Sequence, residues 1–372
     1  MKKKKVNLLP SPLQLGSVFI GSELLPIKQV QKCMERLLKK SGLQYMYDAQ
    51  GFRPLRQSIA SRLQKDGISA DPDWILMTTG SQNALDICSR SFHWKSVAME
   101  NPGYGGAKHL FELNGLKTIG LHLDPFVGPN FKQWRKALLS SKANAIYLTP
   151  HFHNPTGYSY KDDEIQKLLQ LCEEFSLEII EDDWASDMRK SVSTKRSLRA
   201  QVGSSILYIN SFTKKLLPSL RLGYVLANEE KMSSILRVKQ LTTLGNPALI
   251  ERVLFEFLES GDYDKHLRHL QKQMQLRYHH CQEMLQELMP LDVRWTQPSG
   301  GPILWLELPP SVSLSRLHEQ LEKRNVFLDR RTPEWFFGRP HIHGIKIGYG
   351  YYPEEVMQKG LEILAEEIER QL

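Results

Sequence analysis

Ser211-Phe212-Thr213-Lys214-Lys215, followed by Leu220-Arg221-Leu222-Gly223, is the stretch on which the reading of this chain turns. It comes directly after Ser205–Asn210, a short apolar run with the residue types of a buried strand. Lysine normally stays on the surface. A lysine at the end of a buried strand and flanked by hydroxyls therefore asks for a partner. Arg221 follows Lys214 by seven residues. An amine, an arginine and two hydroxyls are what a phosphate-bearing aldehyde needs. The amine forms the imine, and the arginine and hydroxyls hold the phosphate. Taken alone, Lys214 would pass for an ordinary loop lysine.

Working outward, Trp74–Thr79, Ser96–Met99, Thr118–Leu123, Ala145–Thr149, Leu177–Asp182 and Gly223–Ala227 also read as strands. Helical patterns lie between them. Leu55, Ile59 and Leu63 repeat at spacing four behind Pro54, and Ile165, Leu168, Leu169 and Cys172 form a second stripe. Strands separated by helices predict an α/β fold with a mainly parallel sheet covered on both faces. Beyond about residue 245 the pattern changes. Residues 247–291 are helix-rich and broken at Gly261; strands at Ile303–Leu308, Val326–Leu328 and Gly344–Tyr349, a helix at Leu314–Lys323 and a last helix from Glu354 follow. This predicts a smaller α+β domain.

Three more clusters suit the same aldehyde. Thr79-Gly80-Ser81-Gln82-Asn83 ends a strand and opens a helix, where exposed amides and the helix dipole favour an anion. Asn154-Pro155-Thr156-Gly157 follows Ala145–Thr149, and Glu181-Asp182-Asp183 ends Leu177–Asp182. In α/β sheets the carboxyl ends of the strands are where ligands bind. As a bare turn and a bare acidic cap, neither of the last two is distinctive.

Composition bounds the alternatives. The chain has 372 residues, 41% hydrophobic and 24% charged, which excludes wholesale disorder and points to two domains. The net charge is +8, but Lys2 to Lys5 supply four of these charges, leaving 8 − 4 = +4 elsewhere. No nucleic-acid-reading motif accompanies them, so no nucleic-acid partner is expected. No stretch approaches the roughly 20 apolar residues of a membrane span. Pro10, Ser11, Pro12 and Gln14 interrupt the apolar start, unlike a signal peptide. Cys33, Cys88, Cys172 and Cys281 form no Cys-x-x-Cys motif, which suits free thiols in a reducing cytoplasm. His151-x-His153 and His341-x-His343 have metal-like spacing but lack a third ligand, so no metal is expected.

In this order and on these strand ends, the motifs resemble the class I/II aminotransferases, fold-type I enzymes that use pyridoxal 5'-phosphate (PLP). The likeness runs from about Gly21 to the last helix. It is nearest to aminoadipate/kynurenine-type enzymes and to the aminotransferase-like domain of MocR-type regulators. The resemblance implies the aspartate aminotransferase fold, with an N-terminal arm over residues 1–44, a large PLP-binding domain over 45–245 and a small domain over 246–372 that the arm joins. It implies transfer of an amino group from an amino acid or amine to a 2-oxo acid, and a homodimer.

The resemblance also distributes roles. Lys214 would be the Schiff-base lysine and proton carrier, with Lys215 as rival. Asp182 would pair with the pyridine nitrogen and keep it protonated, with Asp183 as rival. Asn154 would donate to the ring's 3′-oxygen, and Tyr104 would stack on the ring. Ser81, Gln82, Ser211, Thr213 and Arg221 would hold the phosphate. Tyr47 would reach the phosphate from the other subunit, although the family's usual position falls on Met46, beside Tyr45. Gly21 belongs to the arm beside the substrate. Lys346 stands where the family has the arginine that grips the substrate's α-carboxylate, and lysine is a point charge rather than a bidentate fork. Arg330, Arg331 and Arg339 are possible substitutes. Trp184 and Ala185 occupy the place of a tyrosine expected just after the ring-binding aspartate. Trp335, Phe336 and Phe337 follow as entrance-lining or core aromatics. The alternatives are another PLP reaction on this fold, such as a lyase or decarboxylase, or the sensing domain of a regulator. The start at Met1 leaves no room for a DNA reader, which favours the enzyme.

Overall fold

A computed structural model describes residues 11–39, 48–189, 197–330 and 332–372. Its centre is an eight-stranded sheet. From one edge the strands are Ile75–Thr78, Gly223–Leu226, Leu207–Ser211, Glu178–Asp183, Ala145–Leu148, Ser96–Asn101, Lys117–Asp124 and Gly128–Pro129. The five from Leu207–Ser211 to Lys117–Asp124 run parallel, so their carboxyl ends share one edge. All seven predicted strands of this region are present. The addition is a reversal: Gly223–Leu226 is inserted antiparallel between Ile75–Thr78 and Leu207–Ser211. The link from Phe212 to Leu222 is too short for the crossover that a parallel pair requires.

Residue alternation sorts the two faces. Val97, Met99, Tyr147, Ile180, Leu207 and Ile209 pack against helices Ser81–Ser91, Gly105–Leu113 and Glu229–Thr242. Ala98, Ile146, Leu148 and Ile179 face the other way, against helices Phe131–Ser141 and Asp162–Glu174. The predicted stripe Ile165, Leu168 and Cys172 is buried there.

At the sheet's other end, helices Ile27–Leu38, Arg53–Lys65 and Ala248–Glu259 share one core with Ile75, Met77 and Leu226. Leu55, Ile59 and Leu63 lie within it, as their spacing predicts. Residues 13–24 instead join a core built from 270–368. Its frame is an antiparallel sheet of Arg294–Trp295, Ile303–Glu307 and Gly344–Gly348, with helices Asp262–Leu288, Leu314–Glu322 and Glu354–Glu369. Leu13–Gln14 pairs in parallel with Val326–Phe327, so the chain's two ends meet. Among the described residues, no helix is long and apolar enough to cross a membrane.

Candidate active site

Sheet alternation separates the two aspartates. Asp182 shares its face with Ile180 and Tyr147, and the Tyr147 hydroxyl donates to its Oδ2 at 2.8 Å. Its Oδ1 is buried with no hydrogen-bond partner among the described residues. Burial pushes this carboxyl up to about 7, against the pull of the Tyr147 hydrogen bond. Asp183 faces the other way. It accepts from the Ser186 amide and hydroxyl and from the Tyr208 hydroxyl.

The two lysines, in the turn after strand Leu207–Ser211, also differ in surroundings. Lys215 is buried, donates to Asn210 Oδ1 at 2.9 Å and forms an ion pair with Asp187. Burial alone would raise the Asp187 carboxyl, but the Lys215 charge and hydrogen bond hold it below the usual range. Lys214 is half-buried, and its Nζ lies 3.5 Å from the centre of the Phe19 ring.

Close backbone approach brings together the residues expected to hold an anion. Gly80 has φ +94°, and a Cβ there would lie 3.1 Å from Arg221 Nη2 and 3.6 Å from Thr213 Oγ1. Gly80 also meets Gly223, whose added Cβ would fall 3.0 Å from the Gly80 Cα. These contacts bring the start of helix Ser81–Ser91 against the loop after Leu207–Ser211. Arg221 Nη2 donates to the Thr79 carbonyl at 3.1 Å. The Ser211 hydroxyl donates to Thr213 Oγ1 at 2.9 Å and accepts from the Thr213 amide. Gln82 accepts from the Tyr104 hydroxyl at 3.2 Å and donates to the Gly106 carbonyl at 2.8 Å. Helix start, loop and Tyr104 thereby form one connected group.

A buried network supports the Asn154 turn. Glu100 accepts from the Thr149 amide and from the Tyr160 hydroxyl. Burial pushes Glu100 up to about 8 and pushes His153 down to about 3. With His153 held neutral, their 3.7 Å approach is not an ion pair. His153 Nδ1 is 2.8 Å from Thr156 Oγ1. Asn154 Oδ1 is buried without a hydrogen-bond partner among the described residues.

Other predicted residues are placed as follows. Trp184 donates its indole N–H to the Phe152 carbonyl at 3.2 Å and belongs to the core. Gly21 donates to the Gly350 carbonyl at 3.0 Å and packs on Tyr351, whereas Phe19 is the arm residue that meets Lys214. Lys346 is buried and bonded to Asp329. Arg330 is paired with Glu322. Trp335 and Phe336 pack in a core with Trp305. Tyr45, Met46, Tyr47 and Arg331 lie outside the described residues. Sequence reasoning missed Tyr147, Phe19 and Asp329. Tyr147 reaches Asp182 only through strand register, and Phe19 and Asp329 carry no spacing signal.

PLP fits this donor set. Asp182 offers a buried acceptor without a partner for a protonated ring nitrogen, and the glycine-spaced cradle is shaped for a phosphate.

Comparison with known proteins agrees with the geometry. Residues 17–336 match the family "Aminotransferase class I and II". A 2-aminoadipate transaminase of Thermus thermophilus is 28% identical over 97% of this chain and 91% of its own length. An uncharacterized HTH-type transcriptional regulator of Bacillus subtilis is 25% identical over 94% of this chain and 72% of its own. A kynurenine aminotransferase of Pyrococcus horikoshii, solved in complex with PMP, superposes with a TM-score of 0.90 at 26% identity, covering 97% of this chain and 92% of that one. The architecture is therefore the aspartate aminotransferase fold. The chain belongs to the class I and II aminotransferase family and is a PLP-dependent aminotransferase.

Proposed function

We propose that Lys214 is the lysine that links covalently to PLP, and that the site passes an amino group from an amino donor to a 2-oxo acid. The observation that carries this is the Oδ1 of Asp182, buried without a hydrogen-bond partner among the described residues on the sheet face it shares with Tyr147 and Ile209. PLP supplies an electron sink for the electrons released when the donor's Cα–H bond breaks. Asp182, ionised beside the protonated ring nitrogen, would keep that sink charged. Tyr147 fixes the orientation of the carboxylate. Asn154 would hold the ring's 3′-oxygen, and Tyr104 would cover one ring face. Ser81, Gln82, Ser211, Thr213 and Arg221 would hold the phosphate. The Lys214 amine would carry the proton removed from Cα. Lys215 is occupied by Asp187 and Asn210, which favours its neighbour for this work.

The family's enzymes work on amino and keto acid substrates, and the aminoadipate and kynurenine names of the relatives suggest donors with large side chains. A homodimer in the cytoplasm, with Tyr47 reaching the partner's phosphate, completes the proposal. The small domain is proposed over 1–44 and 246–372; residues 13–24 and 270–368 pack in one core, and helices Ile27–Leu38 and Ala248–Glu259 pack with the large sheet.

The test is a single-turnover screen. Holoprotein is mixed with a panel of amines and α-amino acids while the cofactor spectrum is followed. Conversion to the aminated cofactor is expected with at least one donor. Cofactor binding without conversion by any donor would contradict transamination and favour a sensing role like that of the regulator relatives.

A further inference from the structure

Helix Asp262–Leu288 belongs to two cores. Near its start, Tyr263 is buried with Phe212 and Phe257 beside the large sheet. Further along, Leu270, Met274, Cys281 and Leu285 are buried in the core built from 270–368. His266 lies between these stretches, three residues after Tyr263 and so on the same side of the helix. It is buried, and its Nε2 is 2.6 Å from the main-chain carbonyl of Lys215. A carbonyl only accepts, so Nε2 carries the proton in this contact. Burial pushes the imidazole below its usual value, so at neutral pH the ring is uncharged.

The helix thereby touches the lysine turn on both sides of Lys214. Before it, the rings of Phe212 and Tyr263 meet edge to face with centres 6.1 Å apart. After it, His266 holds the Lys215 carbonyl. The Phe257 ring lies 6.4 Å from the imidazole and limits its movement. Gln271, on the same helix, donates to the Asp187 carbonyl at 2.9 Å, and the Asp187 side chain is ion-paired with Lys215. A reacting group has to be held to within about 0.5 Å, and a flexible four-carbon stem carries any movement of its root to the amine. The main chain around Lys214 is thus held from behind by the helix that also builds the small-domain core.

Resting on the reading of Lys214 as the lysine that links to PLP, we propose that His266 is a positioning residue for Lys214. Through the Lys215 carbonyl it fixes the root of the Lys214 side chain and ties it to helix Asp262–Leu288. The acceptor is main chain, so Lys215→Met leaves this contact in place.

The experiment follows PLP capture by cofactor-free wild type, His266→Phe, His266→Asn and His266→Gln. In capture the Lys214 nitrogen bonds to the aldehyde carbon and water leaves. Phenylalanine keeps a ring and loses the donor, asparagine stops short of the carbonyl, and glutamine places an N–H near the position of Nε2. In the Phe and Asn variants the saturating rate of capture should fall by about five-fold or more, the scale of one hydrogen bond. The PLP concentration giving half that rate should stay as in wild type, because the phosphate contacts are untouched. A second readout is the pH midpoint at which the absorbance of the lysine–cofactor link changes. It should move by about half a unit or more in the Phe and Asn variants. His266→Gln should restore both readouts. Melting points of the cofactor-free proteins separate a purely structural role, which lowers stability without moving either readout. Wild-type rate and midpoint in a folded Phe or Asn variant overturn the proposal, as does a Gln variant as impaired as Phe. Should Phe and Asn both fail to fold, the Gln variant decides. Borohydride reduction of wild type separates the two levels. If Lys214 is labelled and the variants behave as wild type, only the role of His266 is wrong; if Lys214 is not labelled, the underlying reading is wrong.

Discussion

Replacing Lys215 with methionine should damage stability and spare cofactor attachment, and replacing Lys214 with alanine should do the reverse. The Lys215 side chain is 6% exposed and its partner Asp187 is 26% exposed. Methionine keeps most of the stem and removes the charge. It leaves the Asp187 carboxylate without its main counter-ion and Asn210 Oδ1 without a donor. Removing one partner of a buried pair costs about 3–5 kcal/mol. Asp187 is a quarter exposed, and Arg189 and Arg62 also act on it, so the lower end, about 3 kcal/mol, applies. At about 2.1 cal/mol/K per residue, unfolding a chain of this size carries roughly 0.8 kcal/mol/K, so the melting point should fall by about 4 °C.

The loss should depend on pH. Lys215 holds the Asp187 carboxyl below its unfolded value, so its stabilisation is present above the usual carboxylate range and fades as pH falls through the folded value. The gap between wild type and Lys215→Met should therefore narrow on acidification. Lys214→Ala should shift the melting point of the cofactor-free protein by no more than about 1 °C, an ordinary half-buried truncation. It should also abolish the absorbance of the lysine-linked cofactor. The assays are thermal denaturation at two pH values and the cofactor spectrum. A Lys215→Met protein as stable as wild type, or one that loses the lysine-linked band while Lys214→Ala keeps it, would refute the reasoning.

Gly80→Ala should weaken cofactor affinity by about ten-fold or more. A Cβ at φ +94° is strained by roughly 1–2 kcal/mol and would sit 3.1 Å from Arg221 Nη2; equilibrium titration with PLP measures this. Asp182→Asn should stabilise the cofactor-free protein relative to wild type increasingly as pH rises from about 4 towards 7. The folded carboxyl titrates at about 7, so over that window the native wild type holds a proton that the unfolded chain has released. Melting curves across the window check the sign. Arg199→Met should cost several kcal/mol, on the order of 3, because the buried guanidinium donates to the Ile206, Leu226 and Ala227 carbonyls; chemical denaturation reads the loss.

Local pattern made much of this molecule legible. Apolar runs located the strands, and spacing four located the helices at Leu55 and Ile165, because those signals come from burial on one face. The choice between Asp182 and Asp183 was not legible. It depends on which face each strand residue takes, and a one-residue shift of register reverses the answer. Lys214 and Lys215 posed the same problem, and Asp187 and Asn210, which hold Lys215, do not announce themselves in sequence. The antiparallel insertion of Gly223–Leu226 was readable in principle from the short link before it. Asp329 was not, since its meaning arises only where residues 326–330 meet strand Gly344–Gly348.

The most direct measurement is borohydride reduction of the holoprotein followed by peptide mass mapping. Reduction converts the lysine–cofactor link to a stable amine and marks the lysine that held it. The account predicts the phosphopyridoxyl mass on Lys214. The same mass on Lys215, or on no lysine of this loop, would contradict it.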